Sequence, residues 1–466
     1  MADELIIGKE YLELITPEIA WNYQVVPKQR VDGTILFYAE KEIASMLEEL
    51  KMLLGKRVEL ELVSKDSLHR ALVRYYPRKQ QSKQSSSVDF STNFEDFLQK
   101  IIQEARLHNS SDIHVEAFET TSRIRFRIDG KLVERYQFGK EKYPALINKI
   151  KIQAHLDIAE KRLPQDGRIF FRNGDEKIDI RVSVLPTLYG EKVVLRLLNK
   201  DTANIPLDSL GFSKEQLKIY LDAIQRPNGI VLISGPTGSG KTTTLYASLK
   251  HLNTENVNIM TVEDPVEYTL DGINQVHVKE DIGLTFASAL RTFLRQDPDI
   301  IMLGEIRDQE TAQMAIRAAL TGHLVFSTIH TNSAMGTISR LLDMGIPSYL
   351  VANTLNLSMA QRLVRLLCPH CKKEEIFDAS MLPKALPFRL ASHYTAQGCE
   401  HCLYTGYAGR KAIYELLPVT TQLTEKIKTN NLGEDSNQKI ALLKNAALEL
   451  FKNGDTSLEE IYSYLL

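Results

Sequence analysis

The sequence predicts an α/β protein organised around a parallel sheet that carries a phosphate-binding loop, and three observations predict it. The run Gly235-Pro236-Thr237-Gly238-Ser239-Gly240-Lys241-Thr242 has the spacing glycine, four residues, glycine, lysine, hydroxyl residue. Gly229–Ser234 just before it is apolar and β-branched, the length of a buried strand, and Lys241–Leu252 just after it reads as a helix. Residues 258–262, 299–303 and 323–329 then repeat the short apolar pattern of central parallel strands, with stretches of helical length between them.

Each part of the loop has a chemical reason. Glycines let backbone N–H groups turn toward phosphate oxygens, and the N-terminus of the following helix adds partial positive charge. Lys241 would reach the β- and γ-phosphates, and Thr242 would place its hydroxyl on Mg²⁺. With Thr243 beside them, residues 235–243 are the candidate contacts for ATP or GTP.

Bulk properties narrow the class. The chain has 466 residues, 43% hydrophobic and 25% charged, as in an ordinary globular protein of about two to four domains. A formal net charge of −2 argues against a nucleic-acid partner, whose footprint is a basic excess. No apolar run reaches membrane-span length and no signal-peptide pattern opens the chain, so a cytoplasmic protein is expected, touching a membrane only through partners.

All four cysteines fall in Cys368-Pro-His-Cys371 and Cys399-Glu-His-Cys402, with 27 residues between the inner two. Two such pairs read as a tetrahedral Zn²⁺ site; a redox dithiol is the alternative. Four thiolates close the shell, so the metal would be structural, and His370 and His401 would be spare.

Four blocks follow along the chain. Residues 1–77 read as a small α/β adaptor domain, with a turn and strand at 31–37, a helix over 41–54 stopped at Gly55, a strand at 58–63 and a last helix ending before Pro77. Residues 78–92 are rich in serine and glutamine and read as a flexible linker. Residues 93–205 form a smaller α/β domain. It opens on an amphipathic helix (Phe94, Phe97, Leu98, Ile101, Ile102, Ala105) and continues with an alternating strand, 122–128, turned at Asp129-Gly130. Arg123, Arg125 and Arg127 share one face of that strand, expected to be solvated. Residues 206–466 hold the phosphate loop, the four-cysteine insertion at 366–408 and a helical part from 409 onward.

Polar residues leaving a parallel strand face the crevice where ligands bind. Three exits matter: Glu263-Asp264-Pro265, Gly304-Glu305-Ile-Arg307-Asp308, and His330-Thr-Asn332. Glu305 suits the Mg²⁺ side of phosphoryl transfer to water, and Glu263 the water side.

These motifs, with Leu-Arg-Gln-Asp-Pro-Asp299, Ser111-Asp-Ile-His-Val-Glu116 and Arg162-Leu-Pro-Gln-Asp-Gly-Arg168, resemble the secretion ATPases of the GspE/PilB family from about residue 14 onward. The resemblance implies a RecA-like ATPase domain preceded by a smaller, PAS-like α/β domain and an N-terminal adaptor. Glu263 would then stand in the "Asp box", Glu305 in the Walker B segment and His330 in the "His box". Arg181, Arg196, Arg291 and Arg295 would complete the site around the γ-phosphate, where a rigid guanidinium serves better than an ammonium. The implied machine is a homo-hexamer at the inner membrane, working with a platform protein of the GspF/PilC type and an adaptor of the GspL/PilM type. A type II secretion motor is the leading reading and a pilus-extension motor the alternative. A retraction motor is disfavoured because its resemblance lacks the four-cysteine insertion, and a nucleic-acid translocase by the neutral charge. The Arg-Leu-Gly-type motif of cyclic-dinucleotide-regulated relatives is not seen at the front of the chain, so no such regulation is expected.

Overall fold

The computed structural model describes residues 94–173, 176–198, 205–377, 390–432 and 442–465 without a break, together with Ser86–Ser87 and most of residues 5–76. The chain divides into two compact units, Met1–Gln84 and Ser85–Leu466.

In the first unit, Thr34–Ala39 is the central strand, antiparallel to Val25–Val31 and parallel to Arg57–Leu62. Helix Ala44–Leu54 makes the crossover that a parallel pair requires. Ile35, Phe37, Val58, Leu50 and Leu72 form its buried core. The sequence pattern does not mark strand Val25–Val31, because it carries a proline. Pro27 cannot donate to a ladder, and the register shifts between Pro27 and Gln29, so the proline is accommodated as an irregularity.

Most of the expected linker lies outside the described residues. Its described part, Ser86–Ser87, is not free chain: it pairs in parallel with Tyr136 and Gln137 at the edge of a seven-stranded sheet. The order continues Lys131–Gly139, Thr121–Ile128, Asp112–Ala117, Gly190–Leu198, Glu176–Thr187 and Gln165–Asn173. Alternation puts Ile113, Val115, Ile124, Phe126, Val193 and Leu195 on one face, beneath helices Phe94–Leu107 and Tyr143–Gln153. The other face is polar, but its arginines are not simply solvated. Glu116 accepts from Nε of Arg123 (2.9 Å) and of Arg125 (2.8 Å), while Arg127 lies 3.4 Å from Asp112. Alternation predicts which way these side chains point; it says nothing of the carboxylates on the neighbouring strand.

The second sheet runs Asn274–His277, Ile259–Glu263, Ile300–Leu303, Leu324–Ile329, Gly229–Ser234, Leu355–Leu367, Tyr407–Pro418. All neighbours are parallel except the last pair. Apolar clusters cover both faces, one around Leu290, Ala315 and Ile338, the other around Tyr220, Tyr246 and Leu249. Burial on both faces is why these strands read as continuous apolar runs. The strand before the phosphate loop lies inside the sheet, so its C-terminal end opens beside those of its neighbours.

The four-cysteine segment is the connection between Leu355–Leu367 and Tyr407–Pro418, with a small hairpin, Lys373–Ile376 against Ser392–Thr395. It shares its core with the C-terminal helix Leu443–Lys452, where Phe377 and His393 pack around Phe451. No helix among the described residues is long and apolar enough to cross a membrane.

Candidate active site

The phosphate loop needs its glycines for both conformation and space. Gly235, Gly238 and Gly240 have φ of +151°, +79° and +86°. A Cβ at Gly235 would come within 2.5 Å of the Gln361 carbonyl oxygen, and one at Gly240 within 2.9 Å of the Gln361 amide nitrogen. Pro236, Thr237 and Gly238 are exposed, as is Thr242, while Ser239 is buried and Thr243 half-buried. The Lys241 ammonium folds over the loop, donating to the carbonyls of Gly235 (2.8 Å) and Pro236 (3.1 Å). Burial draws its pKa below the ordinary lysine value, with Glu305 opposing and Arg362 adding to the shift.

The loop is braced by a residue that sequence reading missed. Gln361, on the strand Leu355–Leu367, is buried and donates to Ser239 O (2.9 Å) while accepting from Thr244 Oγ1 (2.9 Å). Next to it, Arg362 donates to the carbonyl of Asn332 (3.0 Å), beyond His330. Buried Glu415 accepts the N–H of Ala334 (2.8 Å), fixing the start of the helix that follows the same loop.

The three strand exits meet through Glu305, His330, Arg307 and Asp264. His330 Nε2 lies 3.1 Å from Glu305 Oε2, Arg307 pairs with the other Glu305 oxygen, and Arg307 also lies 3.5 Å from Asp264. Thr328 donates to Gly304 O (2.7 Å), tying two exits together. Burial pushes the Glu305 carboxyl up, but the hydrogen bond and charge of Arg307, helped by His330, outweigh it and hold it below its ordinary value. An ionised carboxylate, a cationic loop lysine and an open threonine hydroxyl are the groups that phosphate and a divalent ion require.

Glu263 is placed differently. Its side chain turns into the protein, where it accepts from Tyr246, from Thr261 (2.6 Å) and from Gln275 (3.1 Å). The arginines fall into two groups. Arg181 and Arg196 face each other on adjacent strands, with Arg168 beside Arg181 on the next, and all three line a cleft of about 540 Å³. Arg181 donates to Val266 O and lies 3.5 Å from Glu267, reaching the loop after Glu263, whereas Arg196 holds Asp112 (2.9 Å). Arg291 pairs with Glu310 (3.0 Å) on the surface, and Arg295 donates to Arg291 O (3.0 Å). Among the described residues, neither of these two bonds to the phosphate loop or to Glu305 within the chain.

The four thiols cluster. Their sulfurs lie within 4.8 Å of one another, with Cys368–Cys399 at 3.9 Å and Cys371–Cys402 and Cys399–Cys402 at 3.8 Å. A tetrahedron with metal–sulfur bonds of about 2.3 Å has edges of about 3.8 Å, so the donor set fits a metal such as zinc. Burial raises the Cys402 thiol, but N–H groups of Cys399 and Gly406 overcome this and bring it to about 7. His370 and His401 stack on each other, 4.2 Å between centroids, and stand outside the cluster.

Comparison with known proteins places this geometry. The type II/IV secretion system protein family matches residues 89–463, and the MshEN domain family matches residues 3–82. The type IV pilus assembly ATPase PilB of Myxococcus xanthus is 43% identical over 98% of this chain and 86% of its own length. The type II secretion system ATPase E of Vibrio cholerae is 46% identical over 78% of this chain and 73% of its own. Among solved structures, the pilus retraction motor PilT with bound ADP is 28% identical, with a TM-score of 0.53, covering 78% of this chain and 95% of that one. The Legionella pneumophila ATPase DotB shares the fold, with a TM-score of 0.61 at 22% identity, over 80% of this chain and 96% of that one. With a phosphate loop, a charged strand-exit cluster and a family match over most of its length, the chain belongs to the type II/IV secretion system protein family, as one of its ATPases.

Proposed function

We propose that this chain is the ATP-hydrolysing motor of a type II secretion system, driving pseudopilus assembly from the cytoplasmic side of the inner membrane. The observation that carries the hydrolytic part is the convergence of Glu305, His330 and Arg307 at adjacent strand exits, next to the strand that leads into the phosphate loop. In this reading Lys241 and residues 235–243 hold the phosphates, while Thr242 and Glu305 hold Mg²⁺, which neutralises phosphate charge when bound. His330 steadies Glu305. Buried Glu263 acts as a positioning residue, fixing the strand end where Asp264 meets Arg307. Arg181 and Arg196, with Arg168 beside them and Arg291 and Arg295 from their own surface, supply guanidinium groups to a γ-phosphate in an assembled homo-hexamer. The four cysteines hold a structural Zn²⁺. A membrane platform protein and a membrane adaptor are the partners, and the domain divisions at 77, 92 and 205 are those of an adaptor, a linker and a two-part motor.

Similarity to PilB of M. xanthus along 98% of the chain favours a second reading, a type IV pilus-extension motor. Complementation separates the two. Expression in a strain lacking its own type II secretion ATPase should restore export, whereas restored pili in a PilB-deficient strain, without restored export, would establish the second reading.

A further inference from the structure

We propose that Arg362 grips the terminal phosphate of ATP from within the same chain, and so tells ATP from ADP before any second subunit contributes. The inference rests on the ATPase reading, and it starts from charges without partners. Lys241 donates to the carbonyls of Gly235 (2.8 Å) and Pro236 (3.1 Å). Arg362, half-buried, likewise donates to neutral oxygens: Gln361 O (2.9 Å), Asn332 O (3.0 Å) and, weakly, Asn332 Oδ1 (3.5 Å). Among the described residues no carboxylate forms an ion pair with either cation, whereas Arg307 is matched by Glu305 and Asp264. Taking an unmatched charge out of water is unfavourable, so two of them held side by side call for an anion.

Both cations meet at Gly235, the first glycine of the phosphate loop. A Cβ placed there would stand 3.1 Å from Arg362 Nη1, and the Lys241 ammonium bonds to the carbonyl oxygen of the same residue. The two charges feel each other: burial and then Arg362 draw the Lys241 ammonium down against the pull of Glu305, and burial lowers Arg362 itself. The groups that oppose the shift of Arg362 leave it unpaired. Tyr464 keeps its phenol protonated through burial, and Glu415 has its oxygens on the N–H groups of Ala334 (2.8 Å) and Leu443 (3.4 Å). The far end of the guanidinium says which phosphate is meant. Asn332 lies two residues past His330, which meets Glu305, so Arg362 reaches from the phosphate loop toward the hydrolytic cluster, where the terminal phosphate would sit. A planar fork anchored on a carbonyl presents its remaining N–H groups to phosphate oxygens with little reordering. The four arginines assigned above act in an assembled hexamer, whereas Arg362 is fixed by its own strand, one residue after the Gln361 brace.

Calorimetric titration of the full chain with ADP and, separately, with a non-hydrolysed ATP analogue bearing a β,γ-imido bridge tests this, each with Mg²⁺ present. Arg362→Gln should weaken the analogue about 30-fold, or about 2 kcal/mol, as for a lost hydrogen bond to a charged group, while ADP changes less than about twofold. Arg362→Lys keeps the charge and disturbs the fold least; it should weaken the analogue about fivefold, with ADP again within about twofold. A loss of equal size for both nucleotides in either variant overturns the inference, because Arg362 would then only brace the Asn332 loop. Unchanged analogue affinity in Arg362→Gln overturns it as well. A wild-type chain that binds the analogue no better than ADP overturns the inference but leaves the phosphate-loop chemistry standing. One that binds neither overturns both.

Discussion

Gln361→Met keeps the length of a buried side chain while deleting both of its polar atoms. Ser239 O and Thr244 Oγ1 would each lose a 2.9 Å hydrogen bond, in a setting where Gln361 is only 2% exposed and water cannot replace it. A net hydrogen bond is worth about 1–1.5 kcal/mol, so the brace is worth about 2–3 kcal/mol. If that energy holds the loop in its phosphate-binding form, kcat/KM for ATP should fall about 30- to 150-fold. Thr244→Val removes only the Thr244 half and should cost about tenfold or less. Steady-state ATPase assays, with circular dichroism to verify folding, read the effect. A Gln361→Met protein that is folded and within about threefold of wild type would refute the claim that this residue braces the loop.

Glu305→Gln keeps the shape but loses the charge that meets His330 and Arg307, so turnover should drop by about 10² or more with ATP binding retained; Glu263→Gln should cost less, and the reverse order would exchange their roles. Elemental analysis should find about one zinc per chain, and Cys402→Ser should lower that content and loosen the packing around Phe451; full metal content in the serine variant would remove Cys402 from the ligand set. Burial raises the Glu116 carboxyl, but Arg125, Arg123 and Lys192 outweigh it and hold it at about 2, against 4.5 ordinarily. A value lower in the folded state means that this pairing stabilises fully above pH 4.5 and is lost as pH falls toward 2, on the order of 3 kcal/mol in all. Acid-unfolding curves of Glu116→Gln should therefore start lower and fall less steeply than wild type, and parallel curves would disprove the assignment. Arg181→Lys and Arg196→Lys should each reduce turnover more than ATP affinity, most visibly at protein concentrations where oligomers form; activity indifferent to both would return them to a purely structural role.

What the sequence reveals here follows the range of the interactions. Gly229–Ser234 and Lys241–Leu252 are found where the apolar run and the loop spacing put them, because both are local signals. Glu305 and His330 are recognisable because each leaves a strand that is apolar enough to identify. Gln361 could not be seen as a partner of Thr244, 117 residues away, since no periodicity encodes which strand will lie beside the loop. Glu263 is legible only in part. Its position at a strand exit is correct, but only packing reveals that Tyr246 and Gln275 have closed over it. Nothing local to Arg168 marks its place beside Arg181, which cross-strand register alone sets.

The strand Leu355–Leu367 touches the phosphate loop at Gln361 and the His330 loop at Arg362, and ends one residue before Cys368. The pairing with Tyr407–Pro418 already shifts register between Arg365 and Leu367, so this stretch has its own fixed geometry, and removing or adding one residue between Gln361 and Cys368 would re-aim the side chains that follow. The brace could then be satisfied, or the metal cage closed, but not both. Single replacements along this stretch can be tolerated one position at a time; a change in its length cannot, and an engineer grafting the cysteine module onto another motor would have to carry the spacing with it.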